Sequence, residues 1–388
     1  MTRIDLHDVM RRAIKLLAES ATDMAVSEHR EPAAHYTSEE RFGLEHRLVR
    51  ESPQLVGYAS ELPQPGSFVT KEVMGLPLLL TRAKDGKVRA FHNICQHRQA
   101  PVANGCGITK RLACPYHSWT YDLEGGVVGI PGAEGFTEAS SQGLRLTELP
   151  AQEFAGFLWA GLDPDRDLDV AAHLGDLADE LAAWDIGSWT PVGEKRLDAA
   201  IDWKLALDTF AENYHFATVH STTFATIAHS NCTVFDSVGP HHRLVFPLRG
   251  IEACADQPES DWVPLNNLVV IYALFPNIVL SVTIANGELF RIYPADKPGR
   301  SITVHQNSTP LDISDESMAA GAQAVFDYAH GTVRDEDYRL VAGLQANLKS
   351  GARDHLLFGR NEPGLQHRHM SWASWQPAAA ATSSAVDR

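Results

Sequence analysis

Two short segments of the chain each carry one cysteine and one histidine at a spacing that could hold a metal. The first, CQHRQAPVA, places Cys95 two residues before His97, and the second, CPYHSWTYD, places Cys114 three residues before His117. Thiolate sulfur and imidazole nitrogen are ligands of both zinc and iron–sulfur clusters. These four residues are therefore candidate ligands of one metal centre.

The distribution of the ligands between the two segments distinguishes the two metals. Structural zinc sites usually take two cysteines from one segment and two histidines from another. Here each segment contributes one of each, as in Rieske [2Fe–2S] centres, where two cysteines bind one iron and two histidines bind the other. We therefore predict a [2Fe–2S] cluster. A zinc-stabilised binding module, which would lack colour and sulfide, is the alternative.

A second group of residues that could bind a metal or take part in catalysis lies in the segment DTFAENYHFATVH. Asp208, Glu212 and His215 fall at positions i, i+4 and i+7 of a predicted helix and would share one face. Burying two carboxylates and an imidazole is costly unless a cation compensates them. His220 can face the same metal as His215 only if the helix ends or is distorted near residues 217–219.

A carboxylate that could complete this second site lies in VRDEDYRLVAGLQANL. On a helical projection Asp337 shares the face of the apolar residues, whereas Asp335 points aside. Two histidines and one carboxylate form the facial triad that holds non-haem Fe(II) and leaves coordination positions open. The sequence thus favours His215, His220 and Asp337 as a mononuclear iron site.

The surrounding patterns predict the elements that position both sites. Short β-type runs separated by glycine, proline and Asp-Gly turns fill residues 48–165 and predict a small all-β domain. Residues 166–375 predict an α+β domain with an antiparallel sheet and a long terminal helix. Residues 1–47 are expected to form a helical segment that packs on this second domain. The polar residues 376–388 are expected to be a disordered tail.

Composition limits the possible partners. The formal charge of −16 and the lack of clustered Lys and Arg argue against nucleic-acid binding. No apolar run reaches the roughly 18 residues that cross a bilayer, so we expect no membrane partner and a cytoplasmic location.

The remaining cysteines lack the spacing of metal ligands. Cys106, Cys232 and Cys254 are expected to be small buried residues. The histidines of residues 240–243 and 367–369 are expected to be solvated.

Both halves together resemble the Rieske-type non-haem iron oxygenases, specifically their terminal oxygenase α subunits. CQHRQAPVA and CPYHSWTYD resemble the two cluster-binding loops of that family. DWKLALDTFAENYHFATVH resembles the helix that supplies both histidine ligands, and EDYRLVAGLQ resembles the terminal segment with the aspartate. The resemblance spans about residues 45–350. It implies a Rieske [2Fe–2S] domain followed by a helix-grip-like catalytic domain.

For the first site, the resemblance implies two cysteines on the outer ferric iron and two histidines on the inner, redox-active iron. These are Cys95 and Cys114, and His97 and His117. Respiratory-chain Rieske proteins carry an additional cysteine in each loop, and the two form a disulfide. Residues 98–101 and 115–116 contain no cysteine, which favours the low-potential oxygenase type.

For the second site, the resemblance implies His215, His220 and Asp337 as Fe(II) ligands, with O2 as cosubstrate. Glu212 matches the carboxylate that hydrogen-bonds a cluster histidine of the neighbouring subunit and an iron-ligand histidine of its own. Many members have Asp there, and Glu is a variation associated with members that act on quaternary ammonium compounds. Asp208 stands where some members place an Asn, and it is a candidate catalytic residue that would orient a ligand histidine.

The resemblance also implies partners. A flavin and iron–sulfur reductase, with or without a separate ferredoxin, would pass electrons from NAD(P)H to the cluster, and Glu212 of a neighbouring subunit would link the cluster to Fe(II). Because the two metals of one chain are too far apart in this family, a homotrimer or a multiple of three is implied. A pure electron carrier is the non-enzymatic alternative, although it would leave the second site unexplained.

Two reactions are compatible with the sequence. Hydroxylation of a small aromatic compound is the first prediction, and oxidative N- or O-demethylation, for example of a quaternary ammonium compound, is the alternative. The strands near LVVIYALF, IVLSVTI and ELFRIYP are predicted to line the pocket. Their candidate substrate contacts are Tyr272, Phe275, Phe290, Arg291 and Tyr293. Aromatic rings around a carboxylate would suit a trimethylammonium group, whereas Arg291 would suit an aromatic acid.

Overall fold

The chain contains the β domain and the α+β domain that its patterns predict. The computed structural model describes residues 4–138 and 143–375, so the predicted tail of residues 376–388 lies outside the described residues. The domain boundaries near residues 47 and 165 stay a prediction. No helix in the described ranges is long and apolar enough to cross a membrane, and the cytoplasmic location also stays a prediction.

The N-terminal segment is helical at both ends. Helix α1 (Leu6–Ala18) begins after Asp5, whose carboxylate accepts hydrogen bonds from two backbone N–H groups of the first turn. Strand β1 (His29–Pro32) and helix α2 (Glu39–Glu51) follow. Ser38 caps α2 by accepting a hydrogen bond from a backbone N–H. Both helices contact strands of the large sheet of the second domain.

The β domain consists of eleven strands in the described ranges, arranged in three small sheets. They are β2 (Gln54–Tyr58), β3 (Ser67–Val73), β4 (Leu76–Arg82), β5 (Val88–His92), β6 (Cys106–Ile108), β7 (Leu112–Ala113), β8 (Thr120–Tyr121), β9 (Val127–Gly129), β10 (Glu148–Leu149), β11 (Ala151–Phe154) and β12 (Phe157–Ala160). The orders are β10-β5-β4-β3-β6, β11-β12-β2 and β7-β8-β9. All pairs are antiparallel, as predicted.

A seven-stranded antiparallel sheet forms the centre of the second domain. Its strands are β13 (Thr190–Ala199), β14 (Val234–Val238), β15 (His241–Pro247), β16 (Leu268–Leu274), β17 (Ile278–Val282), β18 (Gly287–Pro294) and β19 (Ser301–Thr309). Their order in the sheet is β13-β19-β18-β17-β16-β15-β14. The turns predicted at residues 276 and 286 connect β16 to β17 and β17 to β18, which fixes the register of these hairpins.

The helices of the second domain are more interrupted than their sequence patterns predict. They are α3 (Val170–Leu174), α4 (Leu177–Ala182), α5 (Trp203–Asp208), α6 (Phe216–Val219), α7 (Glu316–Thr332), α8 (Arg339–Ser350) and α9 (Pro363–Ser374). A π-helical turn, Val333–Tyr338, joins α7 to α8 into the long helix that was expected. The sequence did not predict α9 or strand β20 (His355–Phe358), which pairs with β1.

One hydrophobic core connects the two domains. It includes Val69 and Leu80 from the β domain together with Ile292 from the large sheet, all less than a tenth exposed. A separate core lies beneath the two predicted cluster loops and contains Phe91 and Tyr121. Complete burial of a large apolar side chain contributes roughly 1.5–3 kcal/mol. Both cores therefore hold their sites in place by packing.

Candidate metal centres

The two predicted cluster loops share one backbone design. In each loop the N–H of the cysteine donates to the carbonyl five residues later, at 2.9 Å in both cases. The carbonyls of Cys95 and Cys114 accept from the N–H groups of Gln99 (3.0 Å) and Ser118 (2.9 Å), respectively. Gln99 and Ser118 both have positive φ, 60° and 56°, a conformation that non-glycine residues adopt rarely. The same strained turn is thus built twice, once for each Cys and His pair.

The side chains of the two loops converge. The ring centroids of His97 and His117 lie 4.6 Å apart, and Cys95 and Cys114 are both 2% exposed. Tyr121 places its hydroxyl 3.1 Å from the sulfur of Cys95. The Nδ1 atom of His97 is buried and has no hydrogen-bond partner among the residues that the structure describes. Two thiols and two imidazoles with an unsatisfied nitrogen form the donor set that a [2Fe–2S] cluster requires.

Three further residues meet in the second domain. The ligand atoms of His215, His220 and Asp337 all lie within 4.8 Å of one another. Asp337 Oδ1 is 3.1 Å from Nε2 of His220 and 3.5 Å from Nε2 of His215. The Nε2 atom of His215 is buried and makes no hydrogen bond to any side chain or backbone group in residues 4–138 and 143–375. The three groups therefore offer two nitrogens and one carboxylate to a common centre, as a facial triad does.

The local chain differs from the helix that the sequence predicts here. Helix α5 ends at Asp208, and the next helix is the single turn α6, with His215 directly before it and His220 directly after it. The predicted i, i+4, i+7 face is therefore wrong, because only Asp208 of that set is helical. The helix end predicted near residues 217–219 is present, because α6 ends at Val219, and a second interruption that was not predicted separates α5 from α6. It allows both histidines to turn toward Asp337.

A carboxylate holds the Nδ1 atom of each histidine. Glu212 pairs with Nδ1 of His215 and also accepts from the backbone N–H of that residue at 3.1 Å. Glu336, which the sequence did not single out, lies 2.6 Å from Nδ1 of His220 and accepts a hydrogen bond from the Thr223 hydroxyl at 2.7 Å. The Nε2 atom of each ring is then the nitrogen that can bind a metal. Carboxylates that contact the other ring nitrogen orient metal-bound histidines in this way.

The pKa shifts of His215 and Asp337 also agree with a site that binds a cation. Burial lowers the pKa of His215, but the carboxylates of Asp337 and Glu212 raise it to a net value of about 9. Burial raises the pKa of Asp337, and the two histidines lower it below its ordinary value. The buried carboxylate is thus compensated by protonated imidazole, and a divalent metal would replace those protons.

Comparison with known proteins establishes the family. Residues 52–146 match the family described as "Rieske [2Fe-2S] domain", and residues 186–378 match "Ring hydroxylating alpha subunit (catalytic domain)". The carnitine monooxygenase oxygenase subunit of Acinetobacter baumannii is 30% identical over 331 residues, which cover 82% of this chain and 85% of that protein. The chain belongs to the Rieske oxygenase α subunits.

Two further comparisons extend over almost the whole Rieske oxygenase α subunit. The carnitine monooxygenase oxygenase subunit of Escherichia coli (strain K12) is 27% identical, covering 87% of this chain and 91% of that protein. A quaternary ammonium Rieske monooxygenase solved with L-carnitine has the same fold, with a TM-score of 0.74 and 20% identity, covering 96% of this chain and 99% of that one. The predicted fold class is confirmed.

Membership of this family decides between the alternatives left by the sequence. The Rieske oxygenase α subunit carries a [2Fe–2S] cluster and a mononuclear non-haem iron, and it is an enzyme that uses O2 and electrons supplied by a reductase. The zinc module and the pure electron carrier are therefore excluded. Both donor sets described above fit these cofactors in ligand type and number.

A cavity of about 250 Å³ adjoins the candidate iron ligands His220 and Asp337. It lies between the face of the large sheet and the helices that cover it, and six aromatic residues line it. They are Phe210, Phe216, Phe224, Phe246, Phe290 and Tyr328. Of the five predicted substrate contacts, Phe290 alone belongs to this lining.

The other four predicted contacts require correction. On β16 and β18 alternate residues face opposite sides of the sheet, and Tyr272, Arg291 and Tyr293 lie on the side away from the cavity. The Tyr272 hydroxyl donates to Glu180 at 2.6 Å. Arg291 is 1% exposed, and its guanidinium pairs with a glutamate from strand β13. Phe275 lies beyond the end of β16, outside this lining.

Asp208 is not bonded to a ligand histidine as predicted. Its carboxylate accepts from the Tyr36 hydroxyl at 3.0 Å and pairs with Nε2 of His369 at 3.0 Å. The expectation of solvated histidines is wrong, because His369 on α9 and His242 on β15 are buried. Cys106 is exposed rather than buried. The unrecognised helix α9 accounts for the error at His369, since it packs this ring against Asp208.

Proposed function

We propose that this Rieske oxygenase α subunit removes a methyl group oxidatively from a quaternary ammonium compound. The aromatic cavity beside the candidate iron ligands is the main observation behind this proposal. Phenylalanine and tyrosine faces attract methylated ammonium groups through cation–π interactions, and the chain resembles carnitine monooxygenases along most of its length. The first sequence-based prediction, hydroxylation of an aromatic ring, is replaced by its alternative.

The cofactor ligands in this proposal are seven residues of the chain. Cys95, Cys114, His97 and His117 would hold the [2Fe–2S] cluster, and His215, His220 and Asp337 would hold the iron. When bound, the iron supplies open coordination positions for O2. Glu212 and Glu336 fix the orientation of the two histidine rings through Nδ1.

The proposed reaction consumes O2, two electrons and two protons for each methyl group. One oxygen atom enters a C–H bond of the N-methyl group, and the other leaves as water. The resulting N-hydroxymethyl ammonium loses its hydroxyl proton, the C–N bond breaks, and its electron pair stays on nitrogen. The products are formaldehyde and a tertiary amine. The aromatic walls hold the cation in place and exclude bulk water during these steps.

A surface cleft of about 790 Å³ offers a docking site for a neighbouring subunit. Glu212, His215 and Asp337 line this cleft, together with apolar side chains from α8 and β20 and several polar residues. Leu340 is 60% exposed and Leu357 is 53% exposed, which is unusual for large apolar residues next to a charged site. We propose that the Rieske domain of a second copy covers this surface in a trimer and that a reductase supplies the electrons.

A single-turnover assay tests the proposed reaction. The loaded protein is reduced chemically, freed of reductant and mixed with O2 and a candidate substrate, while cluster reoxidation and formaldehyde are followed. Fast reoxidation with one formaldehyde per oxidised methylammonium compound is the expected result. Hydroxylated product from an aromatic compound, without formaldehyde from any methylammonium compound, would overturn the proposal.

A further inference from the structure

The cavity beside the candidate iron ligands has one polar wall. Glu288 and Phe290 face it from strand β18, and Ser281 faces it from the paired strand β17. Thr283 and Asn286 extend the polar region to the turn between these strands. The carboxylate of Glu288 belongs to a residue only 9% exposed. A buried carboxylate in a cavity lined mainly by apolar side chains is costly unless hydrogen bonds or a positive charge stabilise it.

Three side chains fix this carboxylate in place. The Asn286 amide donates to Oε1 of Glu288 at 2.8 Å, and the Asn307 amide donates to the same atom at 3.4 Å. Nε2 of His305 lies 3.1 Å from Oε2. His305 is fully buried, and its ring stacks on Phe290 with the centroids 3.9 Å apart. The oxygens of Glu288 are therefore held rigidly in the cavity wall.

The histidines behind Glu288 can satisfy their hydrogen bonds without a positive charge. Nδ1 of His305 lies 3.4 Å from Nδ1 of His330. Burial and the neighbouring His305 lower the pKa of His330 to about 4, so His330 is neutral at pH 7. In one tautomeric arrangement Nδ1 of His330 donates to Nδ1 of His305, and Nε2 of His305 donates to Glu288. The contact between His305 and Glu288 therefore does not require a second proton on the His305 ring.

Basic side chains are missing from the same cavity. None of the described residues that line it is Lys or Arg. Arg291, which the sequence analysis predicted as a substrate contact in this cavity, lies on the opposite face of the sheet. Its guanidinium pairs with Glu194 at 2.6 Å. A substrate carboxylate entering the cavity would meet phenylalanine rings, the neutral polar side chains of the wall and the carboxylate of Glu288, but no Lys or Arg among the described lining residues. Burying such a group without a cationic partner is unfavourable.

We infer that Glu288 recognises the positive charge of the substrate, and that the substrate is a small methylammonium cation without a carboxylate. This inference rests on the proposed function and specifies its substrate class. It separates the chain from its carnitine-oxidising relatives, because carnitine is a zwitterion that carries a carboxylate beside its trimethylammonium group. The cavity of about 250 Å³ suits a compact cation.

The first experiment compares substrates in the intact, cofactor-loaded protein. The panel contains the cations tetramethylammonium and choline, the zwitterions glycine betaine and L-carnitine, and the neutral choline isostere 3,3-dimethylbutan-1-ol. Cluster reoxidation and formaldehyde are measured for the ionic compounds, and competition against choline is measured for the neutral one. We expect kcat/KM for the cations to exceed that for the zwitterions by roughly tenfold or more.

The second experiment tests the residue itself. Glu288→Gln keeps the shape and most hydrogen bonds but removes the charge, and Glu316→Gln removes the same charge from the exposed start of α7. We expect Glu288→Gln to raise KM for the cations by roughly tenfold, with a smaller change in kcat, and to remove the preference over the neutral isostere. Glu316→Gln should behave as the wild type does. Cluster absorption and iron content verify that each variant is loaded.

The possible outcomes separate this inference from the proposed function. Equal turnover of zwitterions and cations would overturn the inference while leaving demethylation intact. Wild-type kinetics in Glu288→Gln would overturn the role of this residue. Absence of formaldehyde from every methylammonium compound would overturn the proposed function itself. If Glu288→Gln fails to fold, the wild-type substrate panel still decides whether a carboxylate is tolerated.

Discussion

Glu336 lies 2.6 Å from Nδ1 of His220, and its immediate neighbour Asp337 lies 3.1 Å from Nε2 of the same ring. Two consecutive carboxylates therefore hold both nitrogens of one histidine. The π-helical turn Val333–Tyr338 makes this possible, because adjacent residues of a regular α-helix point about 100° apart. Wider turns of this kind are frequent at functional sites.

Glu336→Gln is expected to weaken iron binding. Loss of the charged partner at Nδ1 lowers the basicity of the His220 ring, and changes of this kind typically cost about 10- to 100-fold in metal affinity or activity. Iron per chain after dialysis against a chelator measures the effect, and the [2Fe–2S] absorption should be unchanged. Asp335→Asn, on an exposed neighbour paired with Arg334, is the control. Iron retention equal to that of the wild type would show that Glu336 is dispensable.

Glu212→Gln is expected to weaken iron binding at His215, as Glu336→Gln does at His220, and to stop turnover even in protein that has been reloaded with both metals. The side chain keeps its position beside His215 and its contact with the backbone N–H, but it loses the charge proposed to link two subunits. The measurements are iron and sulfide content together with cluster reoxidation in a single turnover. Glu212→Asp, which restores a carboxylate, should recover part of the rate. A Gln variant with full turnover would contradict this role.

The cluster loops give a prediction with an internal control. Cys95→Ser and Cys114→Ser should each abolish the visible absorption of the [2Fe–2S] cluster, because each removes a thiolate ligand. Cys106→Ser should leave the absorption unchanged, since this cysteine is exposed and outside the loop cores. Loss of the cluster in the Cys106 variant would mean that the ligand set is assigned incorrectly.

The buried pair of His369 and Asp208 should make stability depend on pH. Burial lowers the pKa of His369, but Asp208 and Glu31 raise it to about 9, against an ordinary value of 6.5. A raised folded-state pKa stabilises the fold fully below about pH 6.5, and this contribution is lost as the pH rises through about 9. Since one pKa unit corresponds to about 1.4 kcal/mol, the contribution is a few kcal/mol.

Thermal or denaturant unfolding between pH 6 and pH 10 measures this contribution. His369→Asn should lower the free energy of unfolding most at pH 6, and the difference from the wild type should narrow toward pH 10. His7→Asn, at a half-buried position of α1 where the ring stacks on Trp262, is the control, and its difference in unfolding free energy from the wild type should be the same at pH 6 and pH 10. A difference between His369→Asn and the wild type that does not change with pH would rule out the charged pair.

The candidate ligands that the sequence indicated lie together in the structure, whereas the elements that carry them differ from the predicted ones. Cys95 and His97, like His215 and His220, are close in sequence, so their spacing alone indicated a site. The helical face proposed for Glu212 and His215 failed because α5 ends at Asp208, where packing on the sheet overrides the local periodicity. Periodicity describes a regular element and contains no information about where tertiary contacts end it.

The predictions of the substrate-contact residues were wrong for a different reason. Strand alternation separates Phe290 from Arg291, but it does not indicate which of the two faces is covered by helices. Both faces of β18 are buried, so hydrophobicity could not distinguish them. Glu288 and His369 were missed because polar residues buried in hydrogen-bond networks have no periodic signature. A glutamate at the second position of β18, directly before the apolar residues of that strand, was the available signal.

The one-turn helix α6 has a consequence for how the iron site can change shape. His215 and His220 flank the same four-residue helix, whereas Asp337 lies in the π-helical turn of the long helix formed by α7 and α8. The distance from the carboxylate to the two imidazoles therefore depends on how these two elements pack against each other. A small shift of the long helix relative to α6 would widen or narrow the iron site while the two histidines stay adjacent to the same helical turn.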